Sequence, residues 1–411
     1  MPGDKKNGLF YGYIVVGAGF VVALLTWGSY RTYGLFLQPL TAEFGWSRAE
    51  TSTAYSFAFL LSGLLAAIAG RISDKFGPRL VLVVCGTLMG VGYLLMSQVS
   101  SIWQLYLFLG VIIGIGMGGM DTPILATVAR WFTRRRGVIT GIVKAGAGTG
   151  IFALPPLAGW LISAYGWHTA YVVIGGIVLV GTVSAALFLK GKQSEAEPEP
   201  AAVVGREAPD RKSHHLSLRE AIGTGPFWIF SVIWFILVFC TQTIMLHIAP
   251  RVMDLGIPAT IAATVVSTLG GVSILGRIGM GGLSDRMGTK SVLIMAQFLL
   301  AASFVWALFA RQVWMFYLFA TVYGFAHGAF YTLVSPMLAE LFGLRSLGAI
   351  LGAVTFAGTL GGALGPALAG RLFDMTGGYQ VVFLINLALT VVSIIMVFFL
   401  RPIAREKRAE V

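Results

Sequence analysis

Four charged residues stand inside long apolar runs of this chain: Arg31, Asp121, Lys144 and Arg277. A run of about 20 apolar residues is long enough to cross a bilayer. A charge at mid-membrane costs at least about 2.5 kcal/mol on insertion scales, so a retained one must face a cavity, a partner or an ion. Arg277 lies eight residues before Asp285, ~12 Å along a helix and too deep for easy snorkelling. Its guanidinium fork matches a carboxylate bidentately. That carboxylate belongs either to a structural ion pair or to a bound small anion. The first is disfavoured because no Asp or Glu occurs elsewhere in the same run short of Asp285. Arg31, eight residues before Pro39, either binds or attracts the same anion or snorkels to the outer interface.

Asp121 is nine residues before Arg130 and Lys144 eight after Arg136, on two runs leaving the same short loop, so both should lie at one depth. A buried Asp121–Lys144 ion pair is the plain expectation. Lys144 free of Asp121 would instead be an extra cation for a second carboxylate, and Asp121 is the deep carboxylate available for proton coupling. His327 and Tyr331 are spaced i, i+4 on one helix face. They either hydrogen-bond a carboxylate or bridge helices at a Gly-rich crossing. Ser273, one turn before Arg277, is a further pocket candidate. His247 near Pro250 reads as a gate or interfacial residue, and Tyr33, Phe36, Tyr55 and Phe59 as an aromatic wall.

The elements that must position these groups follow from composition. The 411 residues are 57% hydrophobic and 11% charged, with a mean hydropathy of +0.83, which excludes an ordinary soluble protein. Apolar runs fall near 11–38, 50–70, 79–98, 102–131, 137–162 and 168–190, then near 224–250, 259–282, 289–310, 312–341, 347–371 and 378–400. These are twelve membrane spans in two sets of six, an all-α membrane protein with domains 1–190 and 224–411. Residues 191–223, rich in Pro, Glu and Ala, form a linker with room for one surface helix.

The formal charge is +12, but the basic residues sit in short clusters between spans, which excludes a nucleic-acid face. Of the 29 Lys and Arg, 22 fall on one set of loops and ends, while Arg48, Arg251, Arg311 and Arg371 fall on the other. The positive-inside rule then places both termini and the linker in the cytoplasm. The N-terminal segment reads as an uncleaved first span, and short loops suggest a bacterial inner membrane. Cys85 and Cys240 lie singly inside spans and imply no disulfide or zinc site. His168, His214, His215, His247 and His327 are scattered, so neither a metal centre nor a catalytic constellation is expected, and no cofactor beyond a proton gradient or a counter-anion.

A repeat runs through the chain at an offset of 211. Gly70-x-x-x-Asp74-Lys75-x-Gly77-x-Arg79 recurs as Gly281-x-x-x-Asp285-Arg286-x-Gly288-x-Lys290, Pro155 and Gly159 answer Pro366 and Gly370, and Gly45 answers Gly256. The position equivalent to Arg277 is Ala66, so that charge breaks the duplication, as expected of a group that meets a substrate.

The duplicated loop, twelve spans and central linker together resemble the major facilitator superfamily. The resemblance implies two pseudo-symmetric six-helix bundles with the substrate site between them near the midplane, and it implies gating roles for Asp74 and Asp285, with Arg130 at the inner end of span 4 beside them. Phe132-Thr-Arg-Arg-Arg136-Gly137-x-x-x-Gly141, followed by Ala145-Gly146 and Gly150, is similar to the pattern of the monocarboxylate transporter and oxalate:formate antiporter group. Arg277 matches that group's substrate-binding arginine, and Arg31 lies where animal members carry a functional lysine. Two features depart from it. Ser273 stands where proton-linked animal members carry Asp, and span 11 lacks the lysine of the oxalate exchanger. The expectation is a secondary transporter of a small monocarboxylate such as lactate or pyruvate, proton-coupled and working by alternating access. A dicarboxylate exchanger and a proton-driven exporter are the alternatives.

Overall fold

The computed structural model describes residues 11–132, 136–189, 216–343 and 346–400. Among these residues the secondary structure is helical, with no strand. Eleven helices are long and apolar enough to cross a membrane, and one of them is two spans fused. That helix, Arg136–Leu187, departs from helical geometry at Gly166 (φ 81°), which divides it into span 5 (136–165) and span 6 (167–187). The others are span 1 (Tyr11–Phe44), span 2 (Arg48–Phe76), span 3 (Pro78–Met96), span 4 (102–131) and span 7 (Gly225–Met253). Span 8 (Ala259–Met287), span 9 (Thr289–Phe309), span 10 (Val313–Phe342), span 11 (Leu347–Thr376) and span 12 (Gln380–Phe399) complete the set.

Span ends follow from local chemistry. Ser47 opens span 2 with a capping box, its hydroxyl accepting from the Glu50 N–H at 3.1 Å while the Glu50 carboxylate accepts from the Ser47 N–H at 2.9 Å. Gly77 ends that span at φ 87°, a conformation that favours glycine, and Pro78 starts span 3 where no N–H is needed. The same device returns at Gly288 (φ 84°). Left-handed glycines recur at the repeat offset in two more pairs, Gly45 with Gly256 and Gly166 with Gly377, so the duplication is present in the backbone. Within the proposed linker, a short helix Leu218–Ile222 has its own Ser217/Glu220 capping box; residues 190–215 lie outside the described part.

Two spans depart from simple rods. Span 1 runs to Phe44, beyond the expected end near 38, because Pro39 is carried inside a helix that resumes at Tyr33 after a break at Thr32. Span 4 holds a π-helical stretch, Tyr106–Ile113, and then turns at Gly119–Met120 so that Asp121 opens its last helical piece. Such irregularities expose backbone and re-aim side chains near functional positions.

Close crossings hold each half together. A Cβ built at Gly150 would stand 2.0 Å from the Leu24 carbonyl oxygen, joining span 5 to span 1. The repeat-equivalent pair, Gly361 and the Phe235 carbonyl oxygen, joins span 11 to span 7 with a corresponding 2.2 Å. In lipid such small-residue contacts supply the packing that hydrophobic burial cannot. Between the halves, span 5 meets span 8 and span 2 meets span 11. In spans 2 and 8 the buried positions gather toward Arg48 and Ala262, while the segments leading to Asp74 and Asp285 are largely exposed. The halves are therefore closed at the Arg48 end and parted at the other.

Gly361→Val forces side-chain carbon against backbone and is expected to destabilise the protein by about 1–3 kcal/mol, read as a lower melting temperature in detergent. Gly17→Ala, whose added carbon meets nothing within 4 Å, should leave it unchanged.

Candidate functional site

Between the parted halves lies a cavity of about 350 Å³ lined from spans 1, 2, 4 and 5 on one side and 7, 8, 10 and 11 on the other. Arg31, Asp121, Lys144, Arg277, His327 and Tyr331 all line it. Ser273 does not. It is fully buried, its hydroxyl donates to the Gly270 carbonyl at 2.7 Å, and its own carbonyl oxygen packs against Gly328, so it serves the crossing of spans 8 and 10. Of the expected aromatic wall only Phe59 reaches the cavity; Tyr33 donates to the Thr51 carbonyl at 3.1 Å, and Phe36 stacks on Tyr171.

Arg31 ends the first helical piece of span 1 and is 4% exposed, which rules out snorkelling to an interface. Its Nη1 donates to the Tyr55 hydroxyl at 2.9 Å, and the guanidinium carbon lies 5.7 Å from the Trp27 ring centroid, within cation–π range. Its Nε has no hydrogen-bond partner. Arg277 crosses the seam between halves: Nη1 donates to the Lys144 carbonyl oxygen at 2.8 Å, and Nε is again buried without a partner. Among the described residues neither arginine has a carboxylate at ion-pair distance. The structural ion pair weighed for Arg277 is thus not made.

The Asp121–Lys144 pair is not made either. Both side chains line the same cavity, as their common depth requires, but the two oxygens of Asp121 accept from Trp27 Nε1, each at 3.2 Å. Depth along a helix is fixed by residue count, whereas direction around it changes by 100° per residue, and here direction gives Asp121 to span 1. Lys144 is exposed to the cavity, and its ammonium forms no ion pair with Asp121, while its backbone carbonyl holds Arg277. His327 is 2% exposed with both ring nitrogens unpartnered, its ring edge-to-face with Tyr331 at 5.1 Å. The helix-bridging hydrogen bond considered for it is absent.

Asp74 and Asp285 are exposed at the open end of the molecule; the side chain of Arg130 lies outside the described residues. Apart from His247, read above as a gate or interfacial residue, the closed end is held by residues that sequence patterns do not single out. Arg48, the first residue of span 2, forms an ion pair with Asp254, the one ion pair among the described residues. It also donates to the Tyr379 hydroxyl at 2.6 Å, and its guanidinium lies 3.7 Å from the Phe373 ring centroid. The Arg48 and Ala49 N–H groups donate to the Asp374 carboxylate at 3.0 and 2.7 Å, so an acid from the other half caps span 2. Beneath them His247 Nε2 lies 2.9 Å from the Pro366 carbonyl oxygen, to which it must donate, leaving Nδ1 to accept from the Tyr379 hydroxyl at 3.0 Å. A trace of this gate does exist in the sequence: Asp254 is the repeat partner of Glu43, but Glu43 accepts from Trp167 within its own half.

Comparison with known proteins assigns the fold. The profile described as Major Facilitator Superfamily matches residues 19–289 and 250–411. The chain belongs to that superfamily. It is accordingly a multi-pass membrane transporter and not an enzyme. The chain is 27% identical over 426 residues to monocarboxylate transporter 12 of Mus musculus, covering 98% of this chain and 87% of that protein. It is 28% identical to monocarboxylate transporter 13 of Bos taurus over 377 residues, 91% of this chain and 86% of that one. Among solved structures, a bacterial homolog of the human lysosomal transporter Spinster, inward-facing and unoccupied, superposes with a TM-score of 0.74 at 17% identity, over 97% and 98% of the two chains. The nucleoside transporter NupG gives 0.77 at 15% identity, over 95% and 99%. At these identities the structures speak for the fold of the transporter alone.

Breaking the gate of this transporter should favour opening at the Arg48 end. Truncating one partner of a desolvated charge pair costs about 2 kcal/mol or more. Arg48→Ala is therefore expected to speed modification of a single cysteine at position 59 by at least about tenfold. The measurement uses an impermeant thiol reagent added from that side, on a Cys85→Ser, Cys240→Ser background. An unchanged rate would mean that the cluster does not hold the gate.

Proposed function

We propose that this transporter carries small monocarboxylates of the lactate and pyruvate type by alternating access, with Arg277 as the group that grips the carboxylate. The observation behind the reading is the state of Arg277. It lines the cavity at the seam, retains an unpartnered Nε, and has no carboxylate of the protein at ion-pair distance. A bidentate anion supplies what the site lacks. Arg31 adds a second positive charge, and the free ring nitrogens of His327 with the Tyr331 hydroxyl offer hydrogen bonds to a carboxylate, keto or hydroxyl oxygen. The names of the relatives point the same way. Three cations against one carboxylate in the lining disfavour export of a cationic compound.

The driving force in this reading is a proton gradient or a counter-anion. Asp121 is the carboxylate in the cavity lining through which a proton would act. The excess of Lys and Arg on alternate loops places the termini in the cytoplasm. The state described is then inward-open, with the Arg48 gate closed on the outer face of a bacterial inner membrane.

The test is uptake of radiolabelled lactate and pyruvate into proteoliposomes under an imposed inward proton gradient, with lactate- or oxalate-loaded vesicles as the exchange format. Hydrogen bonds to a charged group contribute about 1.5–3 kcal/mol, so Arg277→Ala should lower uptake by about tenfold or more. Arg277→Lys, which keeps charge but not the fork, should restore only part of it. Absence of uptake in both formats would count against the monocarboxylate reading.

A further inference from the structure

The charges of the cavity do not balance against one carboxylate. In their ordinary charge states Arg31, Lys144 and Arg277 contribute three positive charges to the lining and Asp121 one negative. A monocarboxylate therefore leaves the loaded cavity positive. Closing the halves around that remainder would desolvate it, and desolvated charge without a partner is costly. A dianion removes the remainder.

Lys144 is the group placed to take the second negative charge. Its ammonium makes no hydrogen bond and no ion pair among the described residues, and it is exposed to the cavity rather than packed away. Asp121, the acid expected to neutralise it, is held by Trp27 on both oxygens. The two cations sit on opposite halves, Lys144 on span 5 and Arg277 on span 8, adjacent enough that Arg277 hydrogen-bonds the Lys144 carbonyl. Their repeat equivalents, Thr355 and Ala66, also line the cavity but carry no charge. Within this pair, each half thus supplies a cation at a position where its counterpart is neutral.

We infer that Lys144 is a second anion site, and that the cavity accepts small dicarboxylates and holds them more tightly than monocarboxylates, with one carboxylate on Arg277 and the other on Lys144. The inference rests on the proposed role of Arg277 and extends the substrate class of that same site. A dicarboxylate so bound ties span 5 to span 8 across the seam, which a single carboxylate on Arg277 does not.

The experiment is calorimetric titration of the purified full-length protein in detergent with succinate and with butyrate, which share four carbons and differ by one carboxylate. The wild type should bind succinate at least about tenfold more tightly, about 1.4 kcal/mol. In Lys144→Met this preference should vanish, succinate losing at least about tenfold more affinity than butyrate. Asp121→Asn, which removes the competing acid, should widen the preference. Arg277→Ala should weaken both ligands. Equal wild-type affinities, or a preference that survives Lys144→Met, would overturn the inference while leaving the carboxylate reading intact. If Lys144 serves only as the partner of Asp121, Lys144→Met and Asp121→Asn would impair both ligands alike, which also overturns it. Failure of the wild type to bind either ligand would instead sink the carboxylate reading on which the inference stands.

Discussion

The structure is governed by the cost of placing charge in a medium that cannot solvate it. Three cations and one acid lie deep in the spans, and all four border a single cavity. That placement gives the cavity its location, since the charges must share one pocket of polar surroundings. It also gives the cavity its preference for anions, because the cations outnumber the acid. Trp27 satisfies part of the demand of Asp121, Tyr55 part of that of Arg31 and the Lys144 carbonyl part of that of Arg277, which leaves each arginine with an open nitrogen.

Packing turns this cavity into a moving part. Gly150 against span 1 and Gly361 against span 7 let helices within each half approach to backbone contact. Each half behaves on that account as a block, and motion is confined to the seam. The bonds that cross the seam are of two kinds. At the closed end they form a network of charge and hydrogen bonds around Arg48; between spans 5 and 8 the Ser267 hydroxyl donates to the Phe152 carbonyl and, at the cavity, Arg277 donates to the Lys144 carbonyl. A bound anion acts on the second kind directly and on the first only through the blocks.

Much of this was legible in the sequence because it depends on counting. Twelve spans, the duplication and the depths of Arg277, Asp121 and Lys144 follow from residue number and the rise of a helix. What depends on direction or on distant partners was not legible. Ser273 has the right depth, one turn from Arg277, yet faces span 10. Asp121 and Lys144 share a level, yet Trp27 claims the acid, and only the i, i+4 relation of Trp27 to Arg31 hinted that span 1 presents that face. Arg48 read simply as one of four outer basic residues, because its partners Asp254, Asp374 and Tyr379 lie more than 200 positions away.

The cap on span 2 has an electrical side. Asp374 neutralises the positive pole of a helix belonging to the opposite half, and Arg48 and Asp254 lie beside it. Dissolved ions screen exposed charges over about 8 Å at physiological ionic strength, but the Arg48 and Asp254 side chains are largely buried and are screened far less. The seal therefore keeps its strength over a wide range of salt. Which way the transporter faces is then left to the cargo and not to the ionic strength of either compartment.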